Sequence, residues 1–338
     1  MSGRGVDDVR EISRLAYGFM GSKVLFAALQ IDLFTKLADR PLTLSELAGA
    51  TGIAEHRLST VLSALASLGL VVSTRGRWAN APAAQRYLVD GEPEGFGDYY
   101  RLQIDELIYP MMQHLTAGVK GNTEDLGPGL AKDQMADPAR AKHFSRAQHA
   151  GSLGPATVLA RRVDLQGSRH LLDVAGGTGA FSITLCQRHP DLTATIVDFP
   201  NVVAVGREYV RNAGLGDRVT FLEGNALEVP WPQADVVLMS YLLSAVGGDD
   251  IPPLLTRAAS ALSAGGLLLV HDFMLDDDRM GPDLAALWFV QYLAERVDTV
   301  SFTAADLRRH LAPLGFTAIS DDVLIPQITK LVSASKRR

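Results

Sequence analysis

The chain has 338 residues, 47% of them hydrophobic and 21% charged, with 32 Lys+Arg against 38 Asp+Glu and a formal net charge of −6. At roughly 150 residues per domain this predicts about two domains with an ample apolar core and excludes a disordered chain, and the acidic balance excludes a general attraction to phosphate polymers or anionic lipid. The single cysteine, Cys186, has no internal partner and no metal-ligand spacing around it, which predicts a reducing, cytoplasmic setting and no bound metal.

The first residues, MSGRGVDDVREISR, lack the apolar core of a secretory signal. The longest run without a charged residue, Leu58 to Thr74, falls short of the roughly 20 residues of a membrane span, so no membrane partner is expected. From Ile12 to about Leu37 the residues Leu15, Phe19, Val24, Leu25, Ala28 and Leu29 recur at helical spacing and predict amphipathic helices. Leu42 to Trp78 then predicts a helix from Ser45, a turn at Thr51-Gly52, a second helix through Leu65 and, after Gly69, a β hairpin turning at Arg75-Gly76: a winged helix. Such a module either reads DNA or packs against protein. Positions 41 to 90 hold four Arg and no Lys against three carboxylates, so the charge footprint of a DNA reader is missing and an assembly role is expected.

From Phe96 to Leu165 the pattern is again helical, broken by a Gly-rich loop at Gly118 to Leu130, either a lid or an ordinary surface excursion. At His170 it changes. Short Val, Leu and Ile runs (LLDVAGG, TATIVDFP, RVTFLEGN, ADVVLMSYLL, GGLLLVHDF) alternate with helices over 181–188, 202–213 and 251–262, which predicts an α/β domain with an open parallel sheet covered on both faces. After a helix over 303–312, TAISDDVLI and ITKLVSASK are expected to pair as an antiparallel ribbon at the sheet edge. Three segments are thus expected: 1–95, 96–165 and 166–338.

Asp173-Val174-Ala175-Gly176-Gly177-Thr178-Gly179 is a strand running into a glycine turn and a helix, so a ligand can lie against bare main chain at the helix start. Ser182 stands where a third glycine would complete a dinucleotide fingerprint, which leaves the pyrophosphate reading incomplete. Asp173 would repel a pyrophosphate but suits an ammonium group such as that of the methionine moiety of S-adenosylmethionine. Asp198, ending the next strand, is placed to accept hydrogen bonds from both hydroxyls of a ribose, and Asn225, ending the third, to meet adenine with its amide.

These residues resemble the S-adenosylmethionine-dependent small-molecule O-methyltransferases of the caffeic-acid and acetylserotonin type, including bacterial members from secondary metabolism. LLDVAGGTGAF looks like the family's LVDVGGGTG loop, and IVDFPNVV and FLEGNALEVP like the segments that follow it. The resemblance covers nearly the whole chain. It implies a Rossmann-like class I methyltransferase domain with an antiparallel last strand, preceded by a helical winged-helix dimerisation domain, and a homodimer acting on a small molecule. It places Asp173, Gly176, Gly177 and Gly179 at the methionine and ribose end, Asp198 and Phe199 at the ribose, and Asn225 and Ala226 beside adenine.

The chain departs from the family at ADVVLMSYLLSAVGGDD. Ser240 falls at a family Lys beside the cofactor and Ser244 at the His that removes the phenol proton, and the Glu that steadies this His falls near Ser301. The segment is similar to that of the bacteriochlorophyllide C-methyltransferase branch, which also lacks the His, so methyl transfer to oxygen or to carbon is open. Substitutes for the base are sought at His149, Ser244 and Asp272, the last beside His271 at a strand end. His114, Phe144, Gln148, His149, Trp288 and Tyr292 are the expected substrate contacts, although helical core packing accounts for the aromatic ones nearly as well. Two alternatives stand beside a methyltransferase: a relative that keeps the cofactor for hydroxylation or a pericyclic step, and a ligand-sensing DNA regulator.

Overall fold

A computed structural model describes residues 5–92, 95–126 and 135–337. The chain divides into two compact units, with the boundary at Leu107/Ile108. Residues 96–107 of the expected connector cluster with the N-terminal residues and the described residues from Ile108 on with the sheet.

In the N-terminal unit α1 (Val9–Gln30) and α2 (Leu33–Lys36) precede the winged helix. The strand pair Leu42–Thr43 (β1) leads into α3 (Leu44–Thr51), which starts at a capping box: Thr43 Oγ1 accepts the Glu46 N–H at 3.2 Å, and the Glu46 carboxylate accepts the Thr43 N–H at 2.7 Å. Gly52 closes the helix in the left-handed region at φ +70°. Helix α4 (Glu55–Ser67) and the hairpin β2 (Val71–Thr74) and β3 (Arg77–Asn80) complete the wing, with Arg75 and Gly76 at φ +51° and +75° in the two-residue turn that suits twisted strands. Leu47, Leu58, Leu62 and Leu65 are fully buried at its centre. A short helix α5 (Pro82–Tyr87) follows, and Tyr99–Ile108 is wound as a π-helix, which the helical spacing of the sequence did not distinguish from an α-helix.

In the second unit α6 (Leu115–Val119) is followed by the turn Thr123–Asp125; the remainder of the expected glycine-rich loop, from 127, lies outside the described residues. Helix α7 (Pro138–Arg162) leads to β4 (His170–Val174), α8 (Ala180–Arg188), β5 (Thr193–Asp198), α9 (Pro200–Asn212), β6 (Val219–Glu223), β7 (Ala234–Ser240), α10 (Ile251–Ala261), β8 (Leu262–Asp272), α11 (Asp283–Leu293), α12 (Ala304–Leu311), β9 (Phe316–Ile325) and β10 (Thr329–Lys336). The sheet order is β6-β5-β4-β7-β8-β10-β9. Its first five strands are parallel, and β10 runs antiparallel between β8 and β9, so β9 forms the edge.

Leu172, Val174, Val237 and Val270 pack on one face with α10 and α12, whereas Leu171, Ile196, Leu238 and Leu269 pack on the other with α7 and α8. Burial of both faces explains why these strands read as continuous apolar runs. From β4 the chain winds one way through β5 and β6 and then returns to the other side at β7, which opens a crevice over the carboxyl ends of β4 and β7.

Candidate active site

The glycine turn after β4 takes three residues into positive φ: Ala175 at +55°, Gly177 at +60° and Gly179 at +84°. A side chain at Gly176 would lie 2.5 Å from the Asp173 carboxyl carbon, so only glycine lets the turn fold over that carboxylate. Asp173 is thus fully buried beneath the turn, where the sequence suggested a group open to the crevice. Its Oδ2 accepts the Ser182 hydroxyl at 2.6 Å, and Oδ1 has no partner among the described residues. Burial pushes its pKa up to about 7. A Cβ at Gly177 would meet no described atom within 4 Å, which marks the open side of the turn.

Asp198 joins the turn to the end of β5. Its Oδ2 accepts the Gly177 N–H at 2.8 Å and its Oδ1 the Phe199 N–H at 2.7 Å, while burial raises its pKa to about 6. Each oxygen retains a lone pair for a further donor. Asn225 is engaged locally: Oδ1 accepts the Leu227 N–H and Nδ2 donates to Glu228, both at 3.0 Å, and the neighbouring Ala226 carbonyl accepts the Trp231 indole N–H at 3.0 Å. Phe199 and Phe144 pack together with Met135, Ala141 and Val202, which brings α7 to the carboxyl end of β5.

One further residue of α7 touches both the glycine turn and α9. His149 Nδ1 lies 2.7 Å from Thr178 Oγ1 within the glycine turn, and its ring stacks on Tyr209 of α9 with centroids 3.8 Å apart. Burial holds its pKa down at about 4, so the ring is neutral at physiological pH. The sequence singled out His149 but not Thr178 or Tyr209, and no periodicity signals that pairing. Gln148 is half-buried beside it. His114, also half-buried, sits in the turn Met112–His114 that leads into α6, and α6 packs against α11.

At the carboxyl ends of β7 and β8 the polar groups satisfy one another. Ser240 Oγ lies 2.8 Å from His271 Nδ1, and His271 Nε2 lies 2.8 Å from Thr329 Oγ1. Both ring nitrogens are occupied, and burial depresses the His271 pKa to about 3. Ser240 faces this imidazole. Asp272, on the opposite face of β8 as strand alternation requires, accepts the Ser244 hydroxyl at 2.6 Å, the Ser244 N–H at 3.0 Å and the Phe273 N–H at 2.8 Å. It has no exposed surface, and burial lifts its pKa to about 6 against those bonds. Ser244 and Asp272 therefore close the loop after β7, with neither carrying an accessible proton acceptor. Near the expected site of the family Glu, Ser301 instead accepts from Arg279 through its carbonyl at 3.2 Å.

Beside these groups runs an aromatic wall. Tyr241, held at φ +57°, lies 5.3 Å from Phe273, and Phe273 stacks on Trp288 at 4.3 Å and 15°. Tyr292 meets Trp288 edge-on at 6.5 Å. Such pairs add about 0.5–1.5 kcal/mol each beyond their buried area, which fixes α11 against the strand ends. Arg296, over the Tyr292 ring, donates to the Val246 carbonyl and ties the end of α11 to the loop after β7.

A parallel sheet with one inserted antiparallel strand, a glycine turn and a second-strand aspartate define a methyltransferase of the S-adenosylmethionine-dependent class. Residues 113–317 match the O-methyltransferase domain model and residues 13–90 the O-methyltransferase dimerisation domain; the chain belongs to this O-methyltransferase family, and its cofactor is S-adenosylmethionine. The tetracenomycin polyketide synthesis 8-O-methyl transferase of Streptomyces glaucescens is 32% identical over 91% of this chain and 91% of its own. The 3-hydroxy-5-methyl-1-naphthoate 3-O-methyltransferase of Streptomyces sahachiroi is 32% identical over 83% of this chain and 82% of its own. In fold, the structure of human N-acetylserotonin methyltransferase in complex with its methyl donor matches with a TM-score of 0.84 at 24% identity, covering 99% of this chain and 100% of that one.

Proposed function

We propose that the enzyme methylates a hydroxyl oxygen on a polycyclic aromatic, polyketide-type metabolite, acting as a homodimer in the cytoplasm and without a side-chain base. The observation that carries this reading is the stacked Phe273–Trp288 pair, extended by Tyr241 and Tyr292, at the carboxyl ends of β7 and β8. Flat aromatic faces suit a fused-ring acceptor, and the polyketide and naphthoate acceptors named for the two relatives are of that kind.

The residues present fit the cofactor. The unpartnered Asp173 Oδ1 beneath the turn suits an ammonium group, the open side of Gly177 leaves room for the chain above it, and the remaining lone pairs of Asp198 suit ribose hydroxyls. In this reading Gly176 and Gly179 shape the turn, Phe199 borders the ribose, and Asn225 and Ala226 flank adenine. When bound, S-adenosylmethionine supplies an electrophilic methyl group on a sulfonium sulfur.

What the chain contributes is position. Orientation in line with the leaving sulfur supplies a large part of the acceleration in such a displacement. A positioned base typically adds 10²- to 10⁴-fold for a phenol of pKa about 10, yet His271 is bonded at both nitrogens, Asp272 is sealed by Ser244, and His149, bonded to Thr178 through Nδ1, is held by burial at a pKa of about 4 and is a weak proton acceptor. The acceptor therefore brings its own acidity: a hydroxyl conjugated to a ring carbonyl ionises far more readily and reaches the site as an oxyanion. His149 acts here as a clamp on the glycine turn, and Ser240, Ser244 and Asp272 hold the strand ends in register beneath the aromatic wall. Phe144, Gln148 and His114 complete the acceptor side.

Dimerisation through the N-terminal unit is supported by α1, where Val9, Ile12, Leu15 and Phe19 form an exposed apolar stripe at helical spacing. Among the described residues no helix is long and apolar enough to cross a membrane. The deciding experiment incubates the enzyme with labelled S-adenosylmethionine and a hydroxyanthraquinone, with 1-naphthol in parallel. An O-methyl product with stoichiometric S-adenosylhomocysteine, formed faster from the more acidic hydroxyl, supports the reading. A C-methyl product, or turnover without S-adenosylhomocysteine, overturns it.

A further inference from the structure

We propose that the Tyr241 hydroxyl donates a hydrogen bond to the ionised oxygen of the acceptor and holds that oxygen between the glycine turn and the aromatic wall. This rests on the oxyanion reading above and names the group that meets the charge.

Among the described residues, two non-glycine residues with positive φ end neighbouring parallel strands: Ala175 after β4 at +55° and Tyr241 after β7 at +57°, with Val174 and Met239 paired just before them. The crevice opens between these two ends. In the left-handed region Cβ crowds the following carbonyl, so a bulky aromatic residue there is an outlier that persists only where its surroundings fix it. Here they do. The Tyr241 N–H donates to the His271 carbonyl at 2.8 Å, and the loop that follows is fastened to Asp272 through Ser244. Strain of this kind collects at functional sites.

The ring lies along the carboxyl edge of the sheet. Among the described residues it alone packs against the apolar cores of both faces. Its centroid is 6.3 Å from Phe181, in the first turn of α8 directly after the glycine turn, 4.6 Å from His271 and 5.3 Å from Phe273 of the wall. Tyr241 thus bridges the turn that seats the cofactor and the aromatic faces offered to the acceptor. The residue is half-buried, and its hydroxyl makes no hydrogen bond to a described residue. Desolvation by its neighbours, with the Asp272 carboxylate adding to it, pushes the phenol pKa upwards, so the group stays protonated and able to donate. The other charges around it are settled: His271 is neutral and bonded at both nitrogens, Asp272 is met by Ser244 and the Phe273 N–H, and Phe181 brings none.

An acceptor that arrives as an oxyanion needs a donor that keeps it ionised once water is excluded, and a fixed place in line with the leaving sulfur. One phenol O–H supplies both, because a hydrogen bond to a charged oxygen is short and strong. Tyr241 keeps its own proton throughout. Once the oxygen has become a neutral ether its hold on the O–H weakens, which favours release of the product.

The test compares the parent enzyme with Tyr241→Phe, each loaded with S-adenosylhomocysteine, and follows the visible absorption of bound 1,8-dihydroxyanthraquinone across pH. In the parent the bound dye should ionise at a lower pH than it does in water. In the variant its ionisation constant should move back towards the free value by about tenfold or more, the effect of losing one bond to a charged partner. Affinity for 1-naphthol, un-ionised near neutral pH, and for S-adenosylhomocysteine should each change by less than about threefold. The ligand-free variant should melt at the parent's temperature, because no described group loses a partner. An ionisation equal in the two proteins, a parent that binds no dye or does not favour its ionised form, a lower melting temperature, or weakened S-adenosylhomocysteine overturns the proposal. The ionisation is read without methyl transfer, so an O-methyl product with an unmoved ionisation keeps the functional reading and removes this inference. Tyr241-dependent ionisation with no O-methyl product does the reverse.

Discussion

Ser244 donates its hydroxyl to Asp272 Oδ1 at 2.6 Å and its backbone N–H to Oδ2 at 3.0 Å, closing a ring between the loop after β7 and the end of β8. The resemblance places Ser244 where the family carries its base. Here the position holds a buried carboxylate in place.

Ser244→Ala removes one bond to a buried carboxylate while the backbone donors remain, a loss of about 1–3 kcal/mol. The variant should melt a few degrees lower and retain turnover within a few-fold below its transition, read by thermal denaturation and S-adenosylhomocysteine release. Complete loss of turnover with cofactor affinity intact would make the hydroxyl part of the chemistry and defeat the assignment.

Asp198→Ala removes two acceptors proposed for ribose hydroxyls and frees the Gly177 N–H from β5. Bonds to a charged partner contribute about 1.5–3 kcal/mol each, so S-adenosylhomocysteine should bind on the order of 100-fold more weakly or worse by calorimetry. A dissociation constant within threefold of the parent would place the ribose elsewhere.

The buried carboxylates set a pH dependence whose sign follows from their shifts. Asp173, Asp198 and Asp272 are raised to about 7, 6 and 6 in the folded protein, above their ordinary value of about 3.9 in the unfolded chain. The native state then holds more protons than the unfolded one, and their contribution is full below about pH 4 and lost as pH rises through 6 to 7. His149 and His271 are depressed to about 4 and 3, so their contribution is present above about pH 6.5 and lost as pH falls towards those values. Between pH 8 and 6.5 the two sets oppose each other, because the unfolded imidazoles take up protons over the range in which native Asp173 does, and the melting temperature of the ligand-free protein should change little through that window. The cofactor favours the ionised forms of Asp173 and Asp198, so its binding should release protons and tighten from about pH 5.5 to 7.5. Calorimetry in buffers of different ionisation enthalpy checks this; proton uptake on binding would reverse it.

The winged helix and the glycine turn are legible in the sequence because their determinants are local: Thr51-Gly52 reads as a turn, Arg75-Gly76 as a hairpin turn and Gly176-Gly177-Thr178-Gly179 as a turn from strand to helix, and Gly52, Gly76, Gly177 and Gly179 all take positive φ. The alternation of apolar runs with helices likewise announces a sheet buried on both faces. What is not legible depends on which distant side chain arrives. Asp173 reads as a crevice group, yet Gly176 allows the turn to cover it. His271 and Asp272 read as a polar pair at a strand end, and only the arrival of Thr329 from β10 and Ser244 from the preceding loop closes both.

His149→Ala separates a clamp from a base. The imidazole is neutral throughout the working range and is bonded to Thr178, so its loss should loosen the glycine turn and weaken S-adenosylhomocysteine by about tenfold, or ~1.4 kcal/mol, while the pH profile of kcat keeps its shape. An acidic limb in the parent profile that disappears in the variant would make His149 the proton acceptor.

The exposed stripe of α1 gives the assembly its own test. Leu15 is 76% and Phe19 50% exposed, four residues apart on a helix whose Val9 and Ile12 are also exposed. A contiguous apolar surface of this kind marks a contact between chains, and the matched dimerisation domain spans both residues. Leu15→Asp with Phe19→Asp introduces two charges that would have to be desolvated in a closed interface, at several kcal/mol in total, without touching the buried leucines of the winged helix. Light scattering on the eluting protein should therefore fall from twice the chain mass to the chain mass, with the secondary structure by circular dichroism unchanged. A variant that keeps the dimer mass at micromolar concentration would mean that α1 faces something other than its own copy.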